Sequence, residues 1–81
     1  MDKSTFTEEY AVFLEQLRQA RLDAGVTQVE LAERIGNTQS FVSKCERGER
    51  RLDFVEVRAF CQALGIPFRH FVKDFEDALG E

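Results

Sequence analysis

The stretch TQVELAERIGNTQSFVSKCERGERR, from Thr27 to Arg51, decides the fold of this chain. It contains two short helical patterns separated by Gly36. Thr27 and Glu30 have the spacing of a capping box, in which each side chain accepts a backbone amide hydrogen bond at a helix start. Gly36 can adopt the left-handed conformation that ends a helix. The first pattern therefore predicts a helix of about nine residues. Its apolar stripe consists of Leu31, Ala32 and Ile35.

The second pattern predicts an equally short helix directly after the first. Asn37 or Thr38 can cap its start, and Gly48 can end it. Val42 and Cys45 share one side of this helix, because residues three apart lie on the same face. Helices of this length are not stable alone in water, so both must be held by packing against longer neighbours.

A longer amphipathic helix is predicted before this pair. Its apolar residues recur at steps of three and four, and the pattern closes at Gly25. Thr5 and Glu8 again have capping-box spacing, which predicts where the helix begins. The apolar stripe consists of Phe6, Tyr10, Phe13, Leu14 and Leu17.

Two more helices are predicted after the pair. Asp53 and Glu56 form a third capping box, and the pattern that follows ends at Gly65. Its inward residues are Val57, Phe60, Cys61 and Leu64. Pro67 suits the first turn of a fifth helix, whose stripe is Phe68, Phe71, Val72, Phe75 and Leu79. We therefore predict an all-α, compact five-helix fold.

Length and composition set the class of protein. A chain of 81 residues with 43% apolar content suits one domain over residues 1–81, because it cannot divide its apolar residues between two cores. No apolar run approaches the roughly 18 residues of a membrane span. Positions 1–10 lack the basic start and apolar core of a signal peptide. We expect a cytoplasmic protein without a membrane-bound part.

Few residues suggest a chemical site. Cys45 and Cys61 form no CxxC motif and have no His at ligand spacing, so we predict reduced core thiols. His70 is the one histidine, and no motif places a nucleophile or an acid near it. We therefore expect no enzyme, no metal, no cofactor and no small-molecule ligand.

Basic residues gather in one segment although the chain is acidic, with a formal charge of −4. Positions 34–51 hold five of the eleven basic residues against two acids, whereas positions 1–33 hold three against seven. The five are Arg34, Lys44, Arg47, Arg50 and Arg51. Screening over about 8 to 10 Å lets such a segment bind phosphate despite distant acids.

The outer side of the second short helix is polar. On a helical wheel, it carries Ser40, Ser43, Lys44 and Arg47, with Gln39 in the first turn. Hydroxyl, amide and ammonium groups are those that bind base edges in the major groove. The alternative is an ordinary exposed polar helix face.

The pattern GVTQxxLAxxIGxTQSxVSKxERG, Gly25 to Gly48, resembles the phage repressor and Cro type of helix-turn-helix protein, often called the XRE family. The resemblance extends over about Leu17 to Ile66. The helix of residues 67–79 fits only the general five-helix layout of the family. The resemblance implies the lambda-repressor-like fold, with the helix-turn-helix formed by helices two and three.

The family also implies roles for individual residues. The recognition helix, residues 38–47, would lie in the major groove of double-stranded DNA. Base-reading positions would be Gln39, Ser40 and Lys44. Phosphate contacts would be Gln28, Thr38, Ser43, Arg47, Arg50 and Arg51. The family further pairs Arg21 with Glu46, which would explain an acid within a basic segment; the alternative is two unrelated surface charges.

The expected function is a sequence-specific regulator of transcription, with repression expected and activation left open. Family members of this type commonly bind palindromic operators as homodimers. Candidate interface residues are Phe68, Phe71, Val72 and Phe75, which could instead cap the core. A different class of function also remains open. The chain could be an antitoxin or a phage accessory protein that acts mainly through a protein partner.

Overall fold

The structure, a computed structural model, describes residues 3–80, with side chains from Thr7 onward. The elements are α1 (Lys3–Asp23), α2 (Gln28–Ile35), α3 (Gln39–Glu46), α4 (Phe54–Leu64) and α5 (Phe68–Ala78). All regular structure between residues 3 and 80 is helical, so the predicted five-helix, all-α fold is confirmed. Both α2 and α3 contain eight residues.

Side-chain caps set where the middle helices begin. The Oγ1 atom of Thr27 accepts from the amide of Glu30 at 3.0 Å, and Oε1 of Glu30 accepts from the amide of Thr27 at 2.9 Å. Asp53 and Glu56 form the same reciprocal pair at the start of α4. Both capping boxes were predicted, and each satisfies two amides that would otherwise lack a helical partner.

At the other helix starts, the structure decides one choice that the sequence left open and differs from two predictions. Thr38, rather than Asn37, caps α3, and its side chain accepts from the Phe41 amide at 3.1 Å. The prediction that Thr5 caps α1 is wrong, because the helix already begins at Lys3 and Thr5 lies inside it. Pro67 immediately precedes α5 instead of lying in its first turn. The side chain of Phe6, assigned to the α1 stripe, lies outside the described residues.

The core lies where α1 to α4 meet. α2 packs against α3 and α4, α1 packs against α3 and α5, and α4 packs against α5. The largest fully buried side chains are Leu17, Leu31, Val42, Cys45, Phe60 and Cys61. Each of the four helices contributes at least one of them, so the two short helices are held by longer neighbours.

The two cysteines are free and buried, as predicted. Burial raises the pKa of the Cys45 thiol and raises that of Cys61 to about 11, because a thiolate loses hydration in an apolar environment. In the described part of the chain, no group of three or more His, Cys, Asp or Glu side chains could hold a metal ion. Among the same residues, no helix is both long and apolar enough to cross a bilayer.

Candidate nucleic-acid interface

α3 has one buried side and one exposed side. Val42 and Cys45 are completely buried against the core, whereas Gln39, Ser40 and Lys44 are exposed. Rotation about the helix axis would bring the polar side chains into the core and the apolar ones into water. Burial of Val42 and Cys45 therefore fixes which side chains α3 presents to solvent.

An ion pair beneath α3 connects it to α1. Nε and Nη2 of Arg21 donate to the two carboxylate oxygens of Glu46 at 2.6 and 3.0 Å. The third nitrogen, Nη1, donates to the backbone oxygen of Val26 at 3.0 Å. Both side chains are almost entirely buried, with exposed fractions of 9% and 4%. Such a two-point arrangement fixes geometry as well as charge, so it holds the C-terminal end of α3 at a set position.

Two glutamines extend this contact to the exposed surface. Nε2 of Gln28, the first residue of α2, donates to Oε1 of Glu46 at 2.9 Å. Nε2 of Gln39, the first residue of α3, donates to Oε1 of Gln28 at 3.5 Å. One polar network therefore runs from the buried Arg21 through Glu46 and Gln28 to an exposed side chain. Gln28, assigned to phosphate binding from the sequence, is half-buried and already donates within the protein.

The cations that follow α3 already have partners within the protein. Arg47 donates to Ser43 Oγ and, through Nε, to Glu49 Oε2 at 2.7 Å. This contact raises the pKa of Arg47. Nη1 of Arg50 donates to Oε1 of Glu56 at 2.8 Å, and its guanidinium lies 4.8 Å from the centre of the Phe41 ring. The sequence assigned these arginines to phosphates; of their present partners, Glu49 is exposed, and Ser43, Phe41 and Glu56 are half-buried.

The turn after α3 is attached to α1. The guanidinium of Arg51 lies 4.0 Å from the centre of the Tyr10 ring, and the Tyr10 hydroxyl accepts from the Leu52 amide at 3.2 Å. Gly48 has a φ of +81°, and a Cβ atom there would lie 3.1 Å from Cδ1 of Leu14. Close approach and left-handed backbone together require glycine at this position.

Not every basic residue of the segment lies beside α3. Nη1 of Arg34 donates to the backbone oxygen of Ala63 at 2.9 Å, so the Arg34 guanidinium binds the C-terminal end of α4. Lys44 forms no ion pair with any residue in the described part of the chain. The local excess of positive charge therefore depends on Lys44 and the three arginines that follow it.

The four residues proposed for a dimer interface have different environments. Phe71 is 4% exposed and packs edge-on against Phe13, so within one copy it caps the core, which is the alternative that the sequence left open. Val72 is exposed, and Phe68 and Phe75 are half-buried. Phe54, at the start of α4, is 72% exposed and contacts Phe68, with ring centres 5.0 Å apart. We call Phe54, Phe68, Val72 and Phe75 the apolar patch.

Sequence patterns missed some of these features. The helical pattern of α4 does not include Phe54 among the inward residues, and a large aromatic residue directly after the capping residue is the signal that could have indicated an exposed apolar side chain there. Val55 is 71% exposed and shares the α4 face of Arg58 and Gln62, where an apolar residue is unexpected. Contacts of Tyr10 with Arg51 and Leu52 carry no signal in the sequence, because these residues lie about forty positions apart.

Comparison with known proteins supports the same fold. A family model described as a helix-turn-helix domain matches residues 12–70. The chain is similar to the solved structure of an XRE-family like protein from Pseudomonas syringae pv. tomato str. DC3000, with 43% sequence identity and a TM-score of 0.88. That alignment covers 93% of this chain and 92% of the other. No curated protein matches the sequence significantly.

The restriction-modification controller protein C.Esp1396I has a similar fold, with a TM-score of 0.82 at 19% identity over 90% of this chain and 96% of that chain. A variant of that protein gives a TM-score of 0.83. The family model spans α2, α3 and the ion pair beneath them, and the Pseudomonas syringae structure extends the match to nearly the whole chain. The chain therefore belongs to the XRE family of helix-turn-helix proteins, and it is a DNA-binding transcription regulator.

Proposed function

We propose that this protein represses transcription by binding a palindromic operator as a homodimer, with α3 of each copy in the major groove. One observation carries the proposal. Gln39, Ser40 and Lys44 lie exposed on a helix whose opposite side, Val42 and Cys45, is completely buried. A helix held in this way presents the same three side chains to every duplex it meets.

The chemistry of these three side chains suits base edges. A glutamine amide can form two hydrogen bonds with adenine, and a lysine ammonium can reach the two acceptors of guanine. A serine hydroxyl can donate or accept. Gln39 is oriented by Gln28 across 3.5 Å, a long contact that leaves its amide able to turn toward a base.

Phosphate contacts would surround α3 at both ends. Thr38 and Gln28 lie at the starts of α3 and α2, where free backbone amides favour anions. Ser43, Arg47, Arg50 and Arg51 lie toward the other end of α3 and in the turn beyond it. Arg47 and Arg50 form ion pairs with Glu49 and Glu56 that are at least partly exposed, and such pairs are weak enough to exchange for phosphate. Together these groups would position α3, while the exposed side of α3 selects the sequence.

Two copies are needed to make a specific complex of ordinary size. One α3 of eight residues reads only a few base pairs, whereas two-fold dimers read two half-sites about one helical turn apart. The apolar patch is the surface we assign to the second copy. A two-fold contact places the same patch on both partners, so the apolar patch of each copy, in which Phe54 and Val72 are exposed, would be covered by that of the other copy.

Repression is the simplest consequence of such binding. A dimer that occupies an operator excludes other proteins from the same DNA. A reporter gene with the operator placed across its promoter should be silenced when the protein is produced. If the reporter is instead activated with the operator upstream of the promoter, repression is wrong and DNA binding stands.

Selection from a pool of random duplexes tests the proposal directly. The expected motif is an inverted repeat with half-sites about 10 base pairs apart. Lys44→Ala should weaken binding by about 1 to 3 kcal/mol and relax preference at one base pair of each half-site. Lys73→Ala is the matched control, because Lys73 is an exposed lysine on α5. Recovery of no motif, together with capture of a protein partner, would favour the antitoxin or accessory class.

Oligomeric state tests the dimer separately. Sedimentation equilibrium of the wild type should give a dimer, and Phe54→Ser should shift it toward the monomer while the helical circular dichroism stays unchanged. Val29→Ser is the control, because Val29 is an exposed apolar residue on α2. A dimer that survives Phe54→Ser and Val72→Ser would place the interface elsewhere.

A further inference from the structure

Glu49 lies in the turn that follows α3, beside two of the proposed DNA contacts. Its Oε2 accepts a hydrogen bond from Nε of Arg47 at 2.7 Å, and the charge of Lys44 also acts on its carboxylate. Arg47 donates at the same time to the hydroxyl of Ser43. The carboxylate of Glu49 therefore occupies a donor that a DNA phosphate would use.

The backbone holds Glu49 in this place. Its amide donates to the backbone oxygen of Lys44 at 2.9 Å, and the amide of Gly48 donates to that of Cys45 at 3.1 Å. These bonds attach the turn to the last residues of α3. If α3 enters a groove as a rigid helix, Glu49 goes with it and stays near the phosphates.

The contact between Arg47 and Glu49 is accessible to an exchanging anion. The two side chains are 54% and 55% exposed, so neither loses much hydration in the free protein. A glutamate carboxylate is charged at neutral pH, and the hydrogen bond from Arg47 lowers the pKa of Glu49 further. A phosphate that takes Arg47 would leave this charge without its partner, beside a polyanion.

We propose that Glu49 limits the affinity of the protein for DNA by competing with phosphate for Arg47. The inference rests on the proposed phosphate contact of Arg47. Since the competition involves the backbone of the duplex and no base edge, it lowers the affinity for every sequence by the same factor. Base preference stays the property of the exposed side of α3. The opposite role is also physically defined: Glu49 could orient Arg47 for phosphate, and removing it would then weaken binding.

Glu49→Gln separates the two roles by the sign of its effect. We expect it to tighten binding to the selected operator and to an unrelated duplex alike, by about two- to fivefold, which is the range of an exposed ion pair. The slope of log affinity against log salt should steepen by up to about 0.9, as for one additional phosphate contact. Asp77→Asn is the matched control: it removes the same charge from an exposed pair with Lys73 on α5, and both affinities should stay at the wild-type level.

A second variant connects the effect to Arg47. Arg47→Ala should weaken binding to all sequences, and Glu49→Gln should gain much less in that background than in the wild type. Equal or weaker binding by Glu49→Gln alone would overturn the competition. An equally large gain from Glu49→Gln in the Arg47→Ala background would also overturn it, because the gain would then come from general repulsion between the Glu49 carboxylate and the DNA. Thermal melts of each variant verify that the fold is intact.

Failure of the proposed function has a different signature. If the wild type selects no motif, the proposed recognition by α3 fails before Glu49 is tested. If the motif is selected and Arg47→Ala weakens binding while Glu49→Gln does not tighten it, the inference alone fails. If Arg47→Ala leaves binding unchanged, the phosphate contact of Arg47 and the inference fall together, and recognition by α3 stands.

Discussion

The helix-turn-helix half of the molecule, residues 27–51, and its C-terminal half, residues 53–80, are stabilised in different ways. In the first half, two glutamines and an ion pair between Glu46 and the buried Arg21 of α1 support short helices. In the second half, aromatic side chains dominate, and several of them are only partly covered. Polar contacts fix direction because they depend on angle, whereas apolar burial depends mainly on area.

The difference suggests a division of labour between the halves. A helix that reads bases must hold its side chains at a defined rotation, which burial of Val42 and Cys45 supplies in α3, while the polar network beneath α3 holds the helix in place. A surface that joins two copies needs area and a complementary shape, which aromatic residues provide. Variants that affect one half and spare the other are therefore the sharpest tests of the comparison.

Loss of the buried ion pair should have the largest effect. Glu46→Ala leaves the charge of Arg21 buried without its partner, which typically costs about 3 to 5 kcal/mol of unfolding free energy. Urea denaturation of the variant should show this loss, with little change in base preference among the molecules that stay folded. Glu15→Ala is the control, because its 3.9 Å pair with Arg18 is exposed. A variant as stable as the wild type, or one with altered preference, would contradict this role.

Alanine substitutions at two phenylalanines should then distinguish a core position from a surface position in the C-terminal half. Phe71→Ala removes a buried ring and should cost about 3 kcal/mol. Phe54→Ala, the same substitution at a side chain that is 72% exposed, should change the stability of the monomer by roughly 0.5 kcal/mol. Melts at low protein concentration separate monomer stability from association. Equal effects of the two substitutions would mean that Phe54 belongs to the core.

Acid should produce the smallest of these effects. Arg50 and the Asp53 amide bind the carboxylate of Glu56 and lower its pKa from the usual 4.5. The folded protein therefore binds a proton at Glu56 less tightly than the unfolded chain does. The stability that ionised Glu56 contributes is complete above its pKa in the unfolded chain, and it is lost as the pH falls through its pKa in the folded protein. Glu56→Gln should be less stable than the wild type at about pH 7, and the gap should close near about pH 2. A gap that is independent of pH would exclude the charge of Glu56 as its source.

Local signals predicted most of the fold. The capping boxes at Thr27 and Asp53 fall where their spacing places them, and the buried residues Val42 and Cys45 follow from helical periodicity. These features involve residues within about one or two helical turns, where sequence spacing determines geometry. Thr5 shows where such local signals fail. Its spacing with Glu8 fits a capping box as well as Thr27 does, yet Lys3 already continues the helix.

The arrangement of the candidate site could be predicted only in outline. Helical periodicity placed Ser40 and Lys44 on the outer side of α3, but the partners of Gln28 and Arg47 depend on how separate helices and turns approach each other. Phe71 and Val72 show the same problem for the apolar patch. Both belong to one helical stripe, and only the position of α1 determines that Phe71 is covered while Val72 is not.

Gly48 has a consequence for any attempt to redesign this protein. Ser40 and Lys44 are exposed on α3, and Gln39 has only a long contact of 3.5 Å with Gln28, so these three side chains can be exchanged with little effect on the core. Gly48 has no such freedom, because a larger residue would meet Leu14 and strain the backbone at once. A library of new specificities should therefore vary positions 39, 40 and 44 and leave the glycine alone, since changing it would disturb the contact between the turn after α3 and α1.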